Sequence, residues 1–504
     1  MSCGRPSEMI SWPPLLVLFV LTPLVGAVLT PAVSDATGRR SWEWAIGTML
    51  LTSAMAGALI MRVLDEGPFS YVVGGWVAPY GIELHFDEFS ASVAVVCLLG
   101  LLAVVFSRHY APAALAPERI PYYYTLLLLN ITGMIGFIVT GDLFNLYVFM
   151  EILSLSAYAL VAISGEKTAE MAAFKYLVMG AVSSLSILFG VGLLYALTGS
   201  LNMADVTMRL AGSAKAPLVV AFAALTLGLM VKSALFPLHI WLPDAHAIAP
   251  SPVSAILSGL VVKVGILGML RMYQIAYGSG AIDLSGLNLM LTWLGAISIV
   301  MGAFFAVFQD DIKMMLAYST ISNIGYIVMG LGLASSYSLI GATVHVFNHA
   351  LIKATLFLGA GALIHQTGQR TLSGLAGVGR SMPFTTAAIS IGAISIVGIP
   401  PTAGFLCKWY IALGALQAGQ PLFAVALVFG ALLIFVYYIR MVNAFYFRKP
   451  QDAGASAVHE APATMLVPVL VLATLCLVMG VLGSLPLSFI EPAVARLLAP
   501  LGGG

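Results

Sequence analysis

The chain has 504 residues, of which 60% are hydrophobic and only 9% charged, against a usual charged share of roughly a quarter. A mean hydropathy of +1.01 excludes a water-soluble domain, because no water-facing surface would remain. The net charge of +1 leaves no basic face for nucleic acid. The cysteines Cys3, Cys97, Cys407 and Cys476 are scattered, three of them in apolar runs. They read as small buried hydrophobes, with no disulfide framework and no metal site.

A membrane span needs about 20 apolar residues. About fourteen candidates follow one another. The first two run near 13–33 and 43–63; the first lacks a clean cleavage site, so it is read as a span and not as a signal peptide. The polar segment 64–88 then alternates Ile82, Leu84 and Phe86 after Pro79-Tyr80-Gly81, which predicts a short surface hairpin. Further spans are predicted at 89–110, 122–140, 143–163, 170–198, 216–236, 252–276, 286–308, 314–334, 337–364, 382–418, 421–447 and 463–488. The fold class is an all-α polytopic membrane protein in a lipid bilayer.

Loop charges orient the bundle. With the N-terminus outside, the cytoplasmic ends hold Arg39, Arg40, Arg108, Arg119, Lys167, Lys175, Lys313, Arg370, Arg380, Arg440, Arg448 and Lys449. The outer ends hold half as many: Arg5, Arg62, Arg209, Lys215, Arg271 and Arg496. This bias predicts N-out and C-out in the cell membrane.

Two spans are interrupted in matching ways. The seventh carries Lys232, then Phe236-Pro237, Trp241-Leu242-Pro243-Asp244 and Ala249-Pro250-Ser251-Pro252; the twelfth carries Gly398-Ile399-Pro400-Pro401, Gly404 and Lys408. Proline removes a backbone donor and clashes with the preceding turn. Breaks at membrane depth are tolerated only where they line a cavity or are buried in protein. The two breaks lie five helices apart, so helices four to eight and nine to thirteen read as inverted five-helix repeats, a transporter arrangement. The alternative is two ordinary proline kinks. The resulting division is 1–121 (three helices with the hairpin), 122–280 and 281–450 (two half-channels) and 451–504 (the last helix).

Glu151, Lys232, Lys263, Lys353 and Lys408 lie inside apolar runs, where each charge costs a few kcal/mol. Glu151 is ten residues past Gly141, roughly 15 Å deep at 1.5 Å per residue. Lys232 is its natural partner, since a carboxylate and an ammonium stay ionised beside each other; a static structural pair is the bland alternative. Lys263, similarly deep, is a buried lysine able to exchange its proton. His345, His349 and Lys353 follow one another at i, i+4 and i+8 and so share one helix face. That stripe suits a proton relay. The histidine spacing also fits metal ligation, but no third ligand is near in sequence, and a satisfied structural stripe is a further alternative. Ser183, Ser184, Ser186, Ser319, Thr320, Ser322 and Asn323 either hydrate the path or bond between helices. Neither a phosphate-binding G-x-x-x-x-G-K-[ST] nor a paired CxxC appears, so energy comes from an ion gradient or from a partner, and no cofactor is expected.

The segments DLFNLYVFMEILSLSAY, VKSALFPLHIWLPDAHAIAPSPVSAILSGLVVKVG, HVFNHALIKATLFLGAG and VGIPPTAGFLCKW resemble the proton-conducting antiporter-like subunits. These occur in respiratory complex I, membrane-bound hydrogenases and Mrp-type sodium/proton antiporters. The resemblance spans roughly residues 70–490 and looks closest to the D-type Mrp subunit. It implies that Glu151 and Lys232 form the family's carboxylate–lysine pair and that Lys263 is the central lysine. It also implies that His345, His349 and Lys353 form a relay on a broken eleventh helix, with Lys408 the terminal charge. The implied function is translocation of protons, and of Na+ by the whole assembly, beside other membrane subunits. The resemblance implies a transporter subunit that is not an enzyme on its own, or else a part of an NADH:quinone oxidoreductase-like translocase. Alternatives are a proton-pumping subunit of a redox complex (NADH-quinone oxidoreductase or membrane-bound hydrogenase) and a non-transporting scaffold. The charge bias has a direct test: an impermeant thiol reagent outside intact cells should modify a cysteine placed at Gly503 but not one at Gln369. The reverse pattern would overturn the orientation.

Overall fold

Hydropathy and proline placement dictate most of what folds. The computed structural model describes residues 12–35, 38–449 and 458–499; Cys3, Arg5 and Gly503 lie outside the described residues. Helices α1 (Trp12–Val33) and α2 (Arg39–Glu66) precede a hairpin of β1 (Phe69–Val72) and β2 (Glu83–Phe86). The strands pair antiparallel, with Phe69 opposite Phe86. Then come α3 (Val93–Ala114), α4 (Ile120–Val139), α5 (Leu143–Ala162), α6 (Lys167–Thr198), α7 (Met203–Arg209), α8 (Lys215–Lys232), α9 (Trp241–Ile248), α10 (Ser251–Ile256) and α11 (Val262–Ser279). The remainder is α12 (Ser285–Val307), α13 (Ile312–Leu333), α14 (Ser336–Thr367), α15 (Pro383–Val397), α16 (Ala403–Gln417), α17 (Pro421–Tyr446), α18 (Ala463–Val481) and α19 (Ser484–Leu498).

Among the described residues, thirteen helical segments are long and apolar enough to cross a membrane. The expected count of fourteen differs at the twelfth, which is two helices of 15 residues, α15 and α16. Gly398 closes α15 with φ +91°, and Pro400 and Pro401 cannot continue a helix. The seventh span is likewise split between α8 and α9. The expected break in the eleventh is absent: α14 runs unbroken for 32 residues, because no proline falls within it. A widened π-turn at Leu257–Val261 instead interrupts the eighth, between α10 and α11. The last span also ends earlier than expected, at Val481, and α19 follows; its buried Pro486, Ile490, Ala493, Val494 and Leu497 lie on one face.

The span containing α10 and α11, with α13 and α14, is buried along nearly its whole length, whereas α1, α2, α17 and α18 are largely exposed. Lys263, His345, His349, Lys353 and the polar residues Ser319, Thr320, Ser322 and Asn323 therefore sit on the innermost helices, whereas Glu151, Lys232 and Lys408 sit on α5, α8 and α16 around them. Close packing brings α12 and α13 together: a Cβ on Gly295 would collide with Met329 N, and one on Gly302 would meet Ser322 N at 2.5 Å. Side-chain caps satisfy the free amides at helix starts. Asp142 accepts from Asn145 N at 2.7 Å, Asp311 from Met314 N at 3.0 Å, and Ser335 opens α14 with a capping box. Glu460 reaches across to cap α15 through Phe384 N at 2.9 Å.

Two short bridges occupy corresponding places. Asp142 pairs with Asn202 at the start of α5, and Asp311 pairs with Thr371 at the start of α13. In each, the loop after the following 32-residue helix returns to the entry of the preceding one.

Two residues taken as loop charges are buried. Lys313 donates to Ala249 O, and Arg271 forks onto Asp87 with contacts of 2.5 and 3.1 Å. Arg271 also reaches Ser90 Oγ and Ile138 O, tying α11 to the hairpin-side ends of α3 and α4. Burial alone would raise the Asp87 carboxyl, but the Arg271 charge and hydrogen bonds outweigh it and hold it well below the usual carboxylate range. The stability this pair supplies is therefore fully present above about pH 4 and fades as pH falls below it. Asp87→Ala should leave an unpaired buried guanidinium and cost about 3–5 kcal/mol. Thermal unfolding of the detergent-solubilised protein should fall accordingly, and adding Arg271→Leu should recover most of the loss. Unchanged unfolding in Asp87→Ala would show that the pair is not structural.

Candidate functional site

The buried cations begin at α8. Lys232 is the last residue of that helix, and its Nζ donates to Ser154 Oγ on α5 at 2.5 Å. Glu151, one turn earlier on α5, is half-buried and accepts from Ser184 Oγ on α6. Among the described residues, Glu151 and Lys232 share no ion-pair contact within 4.0 Å; Lys232 bonds to Ser154 and Glu151 to Ser184. An aromatic stack flanks the lysine. Its Nζ lies 5.8 Å from the Tyr176 ring, which stacks on Trp241 at 4.0 Å. Trp241 in turn donates through Nε1 to Val231 O at 3.1 Å, closing the gap between α8 and α9.

Lys263, on the first turn of α11, donates to Ser258 O inside the π-turn. From there a continuous set of contacts crosses to the second half of the chain. Ser258 Oγ meets Thr320 Oγ1 at 2.7 Å, Thr320 donates to Leu316 O at 3.0 Å, and Lys353 Nζ donates to the same carbonyl at 2.9 Å. A void of about 20 Å³ beside Lys263 has room for about one water molecule. No hydrogen bond among the described residues joins Lys232 to Lys263.

The stripe on α14 forms as the spacing predicted. The His345 and His349 rings are 5.5 Å apart. His345 meets Cys407 Sγ at 2.9 Å through Nδ1 and Asn323 Oδ1 at 3.3 Å through Nε2. His349 is fully buried, and neither ring nitrogen has a hydrogen-bond partner among the described residues. Lys408 lies across the break from α15. Its Nζ donates to Ile396 O at 2.7 Å and Val397 O at 3.0 Å, and it stands 4.6 Å from the Tyr326 ring. These are the last carbonyls of a helix, which have no intrahelical partner and carry the negative end of its dipole.

The isolated polar residues divide. Ser184 and Asn323 touch the charged file and Thr320 bonds to Ser258 and Leu316, whose carbonyls hold Lys263 and Lys353, whereas Ser183 and Ser322 bond to the carbonyls of Gly228 and Ile299 on neighbouring helices. Ser319 meets Tyr438 OH at 3.0 Å, and Ser186 bonds back to Val182 O. Sequence reasoning missed His246, which is fully buried on α9, stacks on Phe357 at 4.8 Å and has no ring-nitrogen partner among the described residues. Its position just before the Pro250 break was the available signal. The described residues contain no group of three or more His, Cys, Asp or Glu placed to hold a metal ion.

A multi-span bundle with three interrupted spans and a buried file of lysines and histidines has the form of an ion-translocating membrane subunit. The family model described as NADH:quinone oxidoreductase/Mrp antiporter, TM matches residues 140–434, more than half of the chain. The chain is 38% identical over 481 residues to NADH-quinone oxidoreductase subunit N of Desulforudis audaxviator, covering 92% of this chain and 95% of that protein. It is 30% identical over 489 residues to the D-type Na(+)/H(+) antiporter subunit of Bacillus subtilis, covering 96% and 97%. Among solved structures it is similar to a chain of the membrane-bound sulfane sulfur reductase, an archaeal respiratory membrane complex. That likeness has a TM-score of 0.89 and 31% identity over 96% of this chain and 98% of the other. The chain therefore belongs to the NADH:quinone oxidoreductase/Mrp antiporter family of membrane subunits. It is an antiporter-like, proton-translocating subunit of the kind found in Mrp-type and complex I-type assemblies.

Proposed function

We propose that the chain carries protons along the file Glu151, Lys232, Lys263, Lys353, His349, His345 and Lys408, as one subunit of a monovalent cation (Na+)/proton antiporter in the cell membrane. The observation that carries this reading is how the lysines are held. Lys232, Lys263, Lys353 and Lys408 donate to a hydroxyl or to backbone carbonyls and, among the described residues, to no carboxylate. A neutral oxygen holds an amine without fixing its proton, whereas a carboxylate at contact distance would pin an ammonium in place. The file is divided between two half-channels, 122–280 and 281–450, each ending at an interrupted helix. With both termini outside, the interruptions lie where water reaches the file from opposite sides.

Glu151 also points to a partner. It is half-buried on a stripe of α5 whose neighbours Val148 and Leu155 are exposed. A carboxylate at that depth is costly against lipid. Another membrane subunit covering this face would shield it. A second reading, a redox-driven proton pump, draws on the higher identity to the N-type oxidoreductase subunit and the likeness to a respiratory complex. Co-purification separates the two: small membrane subunits alone favour the antiporter, iron–sulfur subunits the pump.

Glu151→Ala and Lys232→Ala should each abolish cation-dependent proton flux in inverted vesicles while the assembly remains intact by blotting. Full flux in either variant would leave the scaffold reading standing; loss of assembled protein would mark a structural role. Lys408→Arg should be nearly as damaging as Lys408→Ala, because arginine keeps its proton at every accessible pH. His349→Ala should be milder, since water can bridge one gap in the file. Normal flux in Lys408→Arg would mean that the residue supplies fixed charge and not protons.

A further inference from the structure

Asn323, His345 and Cys407 form a hydrogen-bonded row whose direction can be assigned. Asn323 Nδ2 donates to Ser319 O at 2.8 Å, which turns its Oδ1 towards the imidazole. An amide oxygen 3.3 Å from Nε2 is an acceptor, so Nε2 carries the ring proton. A neutral imidazole has one N–H, and its Nδ1 is then a lone pair. The group facing that lone pair is the Cys407 thiol, at 2.9 Å, and a thiol can donate. Cys407 has a second acceptor within reach, Gly404 O at 3.2 Å, on the first turn of α16 beside the helix break.

We propose that Cys407 is a positioning residue for His345: it donates to Nδ1 while the ring is neutral and turns to Gly404 O when a proton arrives there. The consequence for transport rests on the relay reading above. The arriving proton forms the Nδ1–H bond. The sulfur keeps its own proton throughout; the S–H swings about the Cβ–Sγ bond, so no bond to sulfur breaks. The movement places a charge-dependent contact on the residue next to Lys408, at the mouth of the α15–α16 interruption. The titratable groups around His345 are His349 on α14, Lys263 on α11, Tyr326 on α13, and Cys407 and Lys408 on α16. None of these besides Cys407 touches Nδ1 among the described residues.

Infrared difference spectra of membranes containing the assembled complex read this directly, because S–H stretching falls in a region otherwise empty of protein absorption. Subtracting the Cys407→Ser spectrum isolates the band of this thiol. The band should shift between alkaline and acid samples, and the shift should vanish in His345→Gln. Transport supplies a second reading. Cys407→Val keeps the volume and removes the donor, so flux should fall about tenfold, the size of one hydrogen bond, with assembly unchanged. Cys407→Ser keeps a donor and should restore most of that flux. A band that ignores pH, a shift that persists in His345→Gln, or wild-type flux in Cys407→Val would each overturn the proposal. A His345-dependent band shift with flux unaffected by His345→Gln would uphold Cys407 as the partner of His345 and overturn the relay reading alone.

Discussion

A lysine in the middle of a membrane protein needs something to replace water, and here the replacement is backbone. A regular helix uses its own carbonyls; where it ends, widens or breaks, an oxygen is left without its helical partner and is open to another group. Lys408 takes two such oxygens at the end of α15, and Lys263 takes one inside the π-turn. At Lys408 and Lys263 the interruption and the buried cation therefore explain each other, whereas Lys353 takes a carbonyl inside the regular helix α13 and Lys232 takes a hydroxyl. Without Lys408 and Lys263 the open carbonyls would be orphaned in a dry interior, and without the breaks those two lysines would have no solvent. A helix repaired by replacing Pro400 and Pro401 would withdraw the very atoms that make Lys408 tolerable.

The same logic orders the bundle from inside out. The helices that carry the middle of the file, α11 and α14, are enclosed together with α13, and the apolar outer helices surround them. At the hairpin side a true ion pair appears, Arg271 with Asp87, where hydroxyl and backbone partners complete the shell of both groups. The contrast with the file is chemical. Ion pairs near the ends fix position; hydroxyls and carbonyls within the bundle hold cations without fixing their protons.

Much of this was legible in the sequence because the relevant signals are local. Span length and hydropathy lie in one window, and the proline clusters at 236–252 and 400–401 announce their breaks. The i, i+4, i+8 stripe of His345, His349 and Lys353 follows from helical geometry alone. What was illegible was non-local or lacked a side chain. The carbonyl partners of Lys263, Lys353 and Lys408 have no signature, since every residue has a carbonyl. The partners Arg271 and Asp87 lie far apart in the chain, and nothing near either names the other. The break expected in α14 came from resemblance and not from its residues, which contain no proline. The Glu151–Lys232 pair was inferred from depth, and depth cannot reveal that Lys232 bonds to Ser154 and Glu151 to Ser184.

The short helix α9 has no free end. At its start Trp241 is bound to the last turn of α8. At its finish the Ala247 carbonyl accepts from Arg370 at 2.6 Å, and the Ala249 carbonyl accepts from Lys313. Both of those cations belong to the other half of the chain, and Arg370 is itself braced by Asp311 at 3.0 Å. An eight-residue helix from the first half is thus strung between the halves like a tie rod. It also carries the fully buried ring of His246. Any rotation of one half against the other must pull on that rod, stretch one of its fastenings, or turn the imidazole it carries.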